Sequence, residues 1–294
     1  MKKMISVMLA GLCASALLTG CGSSASSSAS SSEASDSKVA AIKSAGKVVM
    51  YTNAEFPPFE YMEGETIKGV DVDIANEIAK ELDVTLEIVN VEFESIVPSI
   101  QTGKGDFGAA GMTVKPEREE MVDFSIKYCT SKQYIIMKED ATFKTIEDLA
   151  GKKIGVQIGT TGEYTIDDAI NGITDENNQH IKGELEGTGA TKIGYNNALE
   201  ATLALTTGKI DAIIIDKLPA ENIVASNTGI KTIELVYADG RNTEEQYAIC
   251  VQKGSDLLEV INTVLNRLMS EGKIDEYIVN HSTQAAVSTD SSAQ

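Results

Sequence analysis

The chain alternates short, nearly continuous apolar runs with segments whose apolar residues return every three or four positions. Lys47 to Thr52 (KVVMYT) predicts a buried strand, and Asn53 to Phe59 (NAEFPPF) a loop at its carboxyl end. Ile74, Ala75, Ile78, Ala79 and Leu82 recur at helical spacing behind Asp71, a residue suited to cap that helix, and Asp83 follows it. Thr85 to Val89 predicts a strand, Ser95 to Thr102 a helix closed by Gly103, and Asp106 to Ala110 another strand. After a strand at Gln133 to Met137 the pattern starts again. Thr145 to Asp148 resembles a capping box opening a short helix that ends near Gly151. Lys153 to Ile158 predicts a strand, Gly159 to Gly162 a tight turn, and Glu163 to Ile170 a helix. Asn197 to Thr206 reads as a helix closed by Gly208, and Asp211 to Ile215 as a strand ending at Asp216. Gln246 to Val251 predicts a strand, Asp256 to Met269 a helix, and Ile274 to Val279 the last element. Strands alternating with helices predict an α/β fold with a largely parallel sheet.

An internal echo divides this pattern. Thr102-Gly-Lys-Gly-Asp106 returns as Thr207-Gly-Lys-Ile-Asp211, and Lys47-Val-Val-Met50 parallels Lys153-Ile-Gly-Val156. Each copy of the first motif follows a helix and opens a strand, which predicts two lobes of similar topology. The same offset sets Gly111 of one lobe opposite Asp216 of the other, each just past the carboxyl end of an equivalent strand. That edge is where ligands bind in open α/β sheets.

The stretch Gly108 to Arg118 (GAAGMTVKPER) carries the most chemistry for its length. Gly111 and Thr113 can offer backbone N–H groups and a hydroxyl to an anion, and Arg118 adds a planar fork of donors. The alternative is a loop and helix whose Arg118 pairs with Glu119, Glu120 or Asp123. With Asp216 supplying a carboxylate from the other lobe, the best-matched ligand has anionic and cationic ends close together, as an α-amino acid does.

The N-terminus reads as a targeting segment. Lys2 and Lys3 precede an apolar run from Ile5 to Leu18, too short for an ordinary membrane span. Leu18-Thr19-Gly20-Cys21 resembles a lipobox, so residues 1–20 are expected to be a lipoprotein signal peptide and Cys21 the lipidated first residue. Residues 21–45 are expected to hold a serine-rich tether, and 282–294 a disordered tail. The expected lobes are 46–130 with 246–281, and 131–245.

The chain holds 25 basic and 44 acidic residues, a formal charge of −19. Loss of residues 1–20 removes Lys2 and Lys3 and no acid, which gives −21. Such a surface argues against nucleic acid as a partner. Cys129 and Cys250 remain after processing, and their spacing decides neither a bridge nor free thiols. With two histidines and no cysteine cluster, neither a metal nor another cofactor is expected.

Phe56-Pro-Pro-Phe-Glu60, Gly69-Val-Asp-Val-Asp73, Gly111 to Arg118, Val122-Asp-Phe-Ser125 and Gly159-Thr-Thr-Gly162 together resemble the extracellular solute-binding proteins of polar amino acid ABC importers, family 3. The resemblance runs from about Lys47 to Tyr277. It implies the type II periplasmic-binding-protein fold, two α/β lobes joined by two crossing strands. It also implies a monomeric, membrane-anchored, extracytoplasmic receptor that hands an L-amino acid to a permease and is not an enzyme. Carried over, Arg118 would clamp the α-carboxylate, with Thr113 and the Thr161 N–H assisting. Asp216 and the Gly111 carbonyl would take the α-ammonium, and Phe56 and Phe93 would flank the side chain. Asn53 stands where binders of basic amino acids and glutamine often carry aspartate, and Gln157 is a further pocket candidate. Charge and the nearby Glu55 lean toward a cationic side chain within the polar class. An amino acid sensor would need the same pocket, and a dehydratase or lyase on this scaffold is the remaining alternative. No Gly-x-Ser-x-Gly elbow, phosphate loop or His-Glu-x-x-His helix favours the enzyme.

Overall fold

The computed structural model describes residues 37–291, with side chains as far as Thr283. The expected signal peptide, Cys21 and most of the tether lie outside the described residues.

The first lobe opens with α1 (Lys38–Ala45) and β1 (Lys47–Thr52). Three short strands follow, β2 (Glu55–Phe56), β3 (Glu60–Glu63) and β4 (Thr66–Lys68), forming a small antiparallel sheet. Then come α2 (Val70–Leu82), β5 (Thr85–Asn90), a 3-10 turn at Phe93–Ser95 and α3 (Ile96–Gln101). The lobe continues through β6 (Phe107–Gly108), α4 (Pro116–Glu119) and β7 (Val122–Phe124). The chain leaves along β8 (Cys129–Lys138) into a second lobe of β9 (Lys153–Gln157), α5 (Thr161–Asn171), β10 (Ile173–Thr174), β11 (His180–Ile181), β12 (Thr191–Tyr195), α6 (Ala198–Thr206), β13 (Ala212–Asp216), α7 (Lys217–Ser226) and β14 (Ile230–Glu234). It returns along β15 (Glu244–Tyr247) to β16 (Cys250–Gln252), α8 (Leu257–Ser270) and α9 (Lys273–Ser291).

The first sheet runs β5-β1-β6-β16-β7 and the second β12-β9-β13-β8-β14, with β15 paired to β8. In each, the strands that precede helices are parallel: β1 with β5 and β6, and β9 with β12 and β13. The largely parallel expectation fails at β16, β8 and β14, which pair antiparallel. Chain that crosses between lobes must run against the strands of the sheet it enters or leaves. The crossing itself is antiparallel, β15 on β8 from Glu244–Lys132 to Tyr247–Cys129.

The echo has a physical basis. Asp106 and Asp211 both turn a carboxylate back onto the neighbouring strand, accepting from Val49 N at 2.7 Å and Lys153 N at 2.8 Å. Each so caps the sheet at the end remote from the cleft. Val48, Met50, Ile74, Ile78, Ile100 and Phe107 fill the first core, and Ile135, Met137, Ile154, Val156, Ile166 and Ile214 the second. Each such side chain contributes about 1.5–3 kcal/mol on burial.

Several boundaries move. The strand expected at Asp106 to Ala110 is only Phe107–Gly108, because the chain bends away to build the cleft edge. The Gln246 to Val251 run is broken between β15 and β16, where it passes from the crossing into the first sheet. Asp71 does not cap α2. Gly69 holds the cap position, and Asp71 sits buried inside the first turn with its oxygens taken by Gly111 and Tyr128. The tail expected from Ser282 continues α9 to Ser291, since neither proline nor glycine interrupts the chain after Lys273. Helix α9 packs on α2, α7 and α8, and His281 fixes it to the first lobe. The Tyr61 hydroxyl lies 3.0 Å from His281 Nδ1, and His281 Nε2 lies 2.9 Å from the Asp73 carboxylate. Cys129 and Cys250 are both free thiols, and burial pushes each up to about 12.

Candidate functional site

The two sheet edges face each other across one pocket. Asn53, Phe56, Phe93, Gly111, Thr113, Arg118, Gln157, Thr161 and Asp216, the ligand-binding candidates read from the sequence, line it, together with Ala110 and Thr160, while Glu55 does not.

Arg118 stands on α4, a single turn started by Pro116. Its guanidinium is buried, with Nη1 donating to the Thr113 carbonyl at 2.6 Å and Nη2 to the Gly159 carbonyl of the other lobe at 2.8 Å. The Phe93 ring lies 5.3 Å from its Cζ, a cation–π contact that limits where the fork can point. Burial pulls the Arg118 pKa down, and Tyr164, Cys250, Glu245 and Asp216 oppose this. A guanidinium keeps its charge regardless.

Gly111 has φ +53°, and a Cβ there would come 2.7 Å from the Phe56 ring, so the close approach of backbone to aromatic wall requires glycine. Its N–H donates to Asp71 at 2.8 Å. Thr113 pairs with Tyr247 of β15 as a non-hydrogen-bonded partner. The flanking bonds run from Ala248 N to Met112 O and from Val114 N to Gln246 O. The Thr113 N–H therefore points away from β15. Its hydroxyl, expected to help hold a carboxylate, is instead given to Glu245 at 2.5 Å.

From the second lobe, the Thr160 hydroxyl caps α5, accepting from Glu163 N at 3.4 Å, and sets the helix N-terminus with Thr161 in the pocket wall. A helix N-terminus favours an anion. Asp216 ends β13 at the start of α7 but makes no capping bond to that helix. Its carboxylate accepts the Tyr247 hydroxyl at 2.6 Å and is 5 % exposed. Burial and the adjoining Glu245 push Asp216 well above the usual carboxylate range.

The far end of the pocket is closed by two neutral amides. Gln157 Nε2 donates to Asn53 Oδ1 at 2.9 Å across the cleft and to the Asn196 carbonyl at 3.1 Å, while Asn53 Nδ2 donates to the Val91 carbonyl at 2.9 Å. Nearby, burial raises the Glu55 carboxyl, and Glu92 and Glu200 add to it. Gly159 packs so closely on Glu94 that a Cβ there would meet the Glu94 backbone at 3.1 Å. With the walls drawn together, the cavity is about 10 Å³, near the size of one water molecule. Anything larger than a water molecule would need the Arg118–Gly159 and Gln157–Asn53 bonds to part. Among the described residues no group of three or more His, Cys, Asp and Glu is placed to hold a metal ion.

Residues 48–282 match the bacterial extracellular solute-binding proteins, family 3.

The chain belongs to that family.

It is 30% identical over 276 residues to the arginine-binding extracellular protein ArtP of Bacillus subtilis, covering 94% of this chain and 96% of that protein. It is 29% identical to the ABC transporter glutamine-binding protein GlnH of the same organism, covering 94% and 96%. Among solved structures, an amino acid ABC transporter substrate-binding protein, AbpA of Streptococcus pneumoniae bound to L-arginine, superposes with a TM-score of 0.74. That match has 30% identity and covers 84% of this chain and 98% of that one. The fold is accordingly the type II periplasmic-binding-protein fold of two α/β lobes.

A layer of acids behind the pocket of this family 3 protein escaped sequence reasoning. Glu60, at the start of β3, is fully buried, and neither of its oxygens has a hydrogen-bond donor in the protein. The Asp71 carboxyl acts on it as a neighbouring like charge, which disfavours ionisation of both. Burial, Asp71 and Asp216 together push Glu60 well above the usual carboxylate range. Burial raises Asp71 to about 6, against the opposing bonds from the Tyr128 hydroxyl at 2.6 Å and from Gly111. Glu245, on β15, takes Thr113 on one oxygen and Gln133 Nε2 on the other, each at 2.5 Å. Glu60 and Asp71 fall inside the motifs quoted above, but Glu245, Gln133 and Tyr247 carried no signal of their own.

Proposed function

We propose that this chain is the extracytoplasmic receptor of an ABC importer. It binds a polar L-amino acid, basic side chains foremost, between its two lobes and delivers it to the permease. The observation that carries this reading is the opposition of buried Arg118 and buried Asp216 in one pocket, from different lobes. The guanidinium, the Thr113 N–H and the α5 terminus at Thr161 take the α-carboxylate. Asp216 takes the α-ammonium with the Gly111 carbonyl, and Phe56 and Phe93 flank the side chain. Asn53 and Gln157 meet the side chain's polar end, where Glu55, Glu92 and Glu200 favour positive charge.

Arginine is the first candidate because the similar proteins named above include arginine binders, and glutamine is the second. Loss of the cross-cleft bonds on opening, and their replacement by bonds to the ligand, links binding to closure. The receptor works as a monomer without a cofactor and performs no chemistry on its ligand. Lipidation at Cys21 anchors it to the membrane. Among the described residues no helix is long and apolar enough to cross one. A thermal-shift screen of L-amino acids with the wild type should raise the melting temperature for one or a few of them. Arg118→Ala should abolish that shift. A full shift in the Arg118→Ala variant would overturn the carboxylate assignment.

A further inference from the structure

Glu245 lies outside the pocket wall yet joins the two lobes beside Asp216. It sits on the crossing strand β15, opposite Ser131 of β8. One oxygen accepts from Thr113 of the first lobe and the other from Gln133 of the second, each at 2.5 Å. Two residues on, the Tyr247 hydroxyl donates to Asp216 at 2.6 Å, and Gln133, whose amide Glu245 takes, is the cross-strand partner of Asp216, which sets the two carboxyls side by side. The other groups facing this pair are Glu60, from β3, and the Cys129 thiol, from β8, with Arg118 of α4 as the facing cation. Asp71 and Tyr128 stand behind Glu60. Two buried carboxylates in contact, with another acid behind them, do not both ionise. With both Glu245 oxygens already taken by donors, Asp216 is the member disfavoured as an anion.

We propose that Glu245 is a positioning residue beside which Asp216 keeps its proton before ligand arrives, and that the α-ammonium of the amino acid replaces this proton. The step balances. The Asp216 O–H bond breaks, its electron pair stays on the carboxylate, the proton leaves to solvent, and the ammonium keeps all three of its own protons. Binding therefore releases one proton, and affinity climbs with pH until the pair has lost its proton unaided. This rests on the amino acid reading above.

The test is calorimetric titration of the full chain with L-arginine, L-glutamine and L-histidine, in buffers of different ionisation enthalpy at one neutral pH. The amino acid that binds should release about one proton, with Kd falling about tenfold per pH unit below the midpoint of the pair. Glu245→Gln should bring the release near zero and flatten that profile, and Glu245→Asp should restore both. Heat independent of the buffer in the wild type, or full proton release by Glu245→Gln, would overturn the proposal. If no amino acid gives heat, the amino acid reading fails. Infrared spectroscopy of the unliganded chain then decides the proton separately. A protonated-carboxyl band that weakens in Glu245→Gln supports the proposal, and a band of equal strength in both proteins contradicts it.

Discussion

Asp71 and Asp216 are both buried carboxyls beside a glutamate, yet their donors come from different places. Asp71 is held by the Gly111 N–H and the Tyr128 hydroxyl, both ahead of the first crossing, and lies outside the pocket wall. Asp216 is held by Tyr247 of the return crossing, and its partner Glu245 is gripped by Thr113 from one lobe and Gln133 from the other. One pair braces the backbone of the cleft edge through donors that both come from the first lobe side. The other is assembled from both lobes, so its surroundings depend on closure, and its Asp216 lines the pocket. Identical chemistry thus becomes scaffold in one place and recognition in the other, according to whether its donors move together.

The largest expected effect separates the pairs outright. Asp216→Asn should weaken amino acid binding by about 100-fold or more, as loss of one partner from a buried charge pair does. Glu60→Gln should leave Kd within about threefold. Calorimetry on both variants checks this, and equal losses would erase the distinction.

The next effect concerns stability. A carboxyl whose folded pKa is raised costs nothing below its unfolded value and destabilises progressively as pH rises through the window to its folded value. For Asp71 that window runs from 3.8 to about 6. The cost above it is about 3 kcal/mol at most, at about 1.4 kcal/mol per pKa unit. Glu60→Gln replaces the carboxyl beside Asp71 with a neutral amide, so urea midpoints between pH 4 and pH 8 should fall less than in the wild type. An unchanged slope would remove Glu60 from the pair.

Smaller still, Tyr128→Phe and Tyr247→Phe should each lose about 1–2 kcal/mol of stability, the cost of an unsatisfied buried acceptor. Only Tyr247→Phe should also change the affinity. A change in affinity with Tyr128→Phe would mean that the Asp71 side also reads the ligand.

Much of this site was legible because its residues punctuate elements. Gly111 breaks a strand, Arg118 follows a helix-starting proline, Asp216 ends a strand, and the echo aligns the two edges. Glu245, Gln133 and Tyr247 were not legible, because they are interior positions of crossing strands whose pairing joins residues more than a hundred apart. Local pattern says which face such a residue can occupy and nothing about the acid across from it. Asp71 misled for a related reason, since an acid near a helix start looks like a cap until the loop that claims it is placed. The extent of α9 was hidden by a serine-rich composition that resembles a tether yet contains no helix breaker.

The central claim, that one pocket reads both charges of an α-amino acid from opposite lobes, is tested most directly with amputated ligands. The amino acid giving the largest thermal shift should be titrated by calorimetry beside its decarboxylated and deaminated counterparts. The account predicts that each counterpart binds at least about 100-fold more weakly, the first for want of a partner for Arg118 and the second for Asp216. A counterpart that binds as tightly as its parent would contradict it.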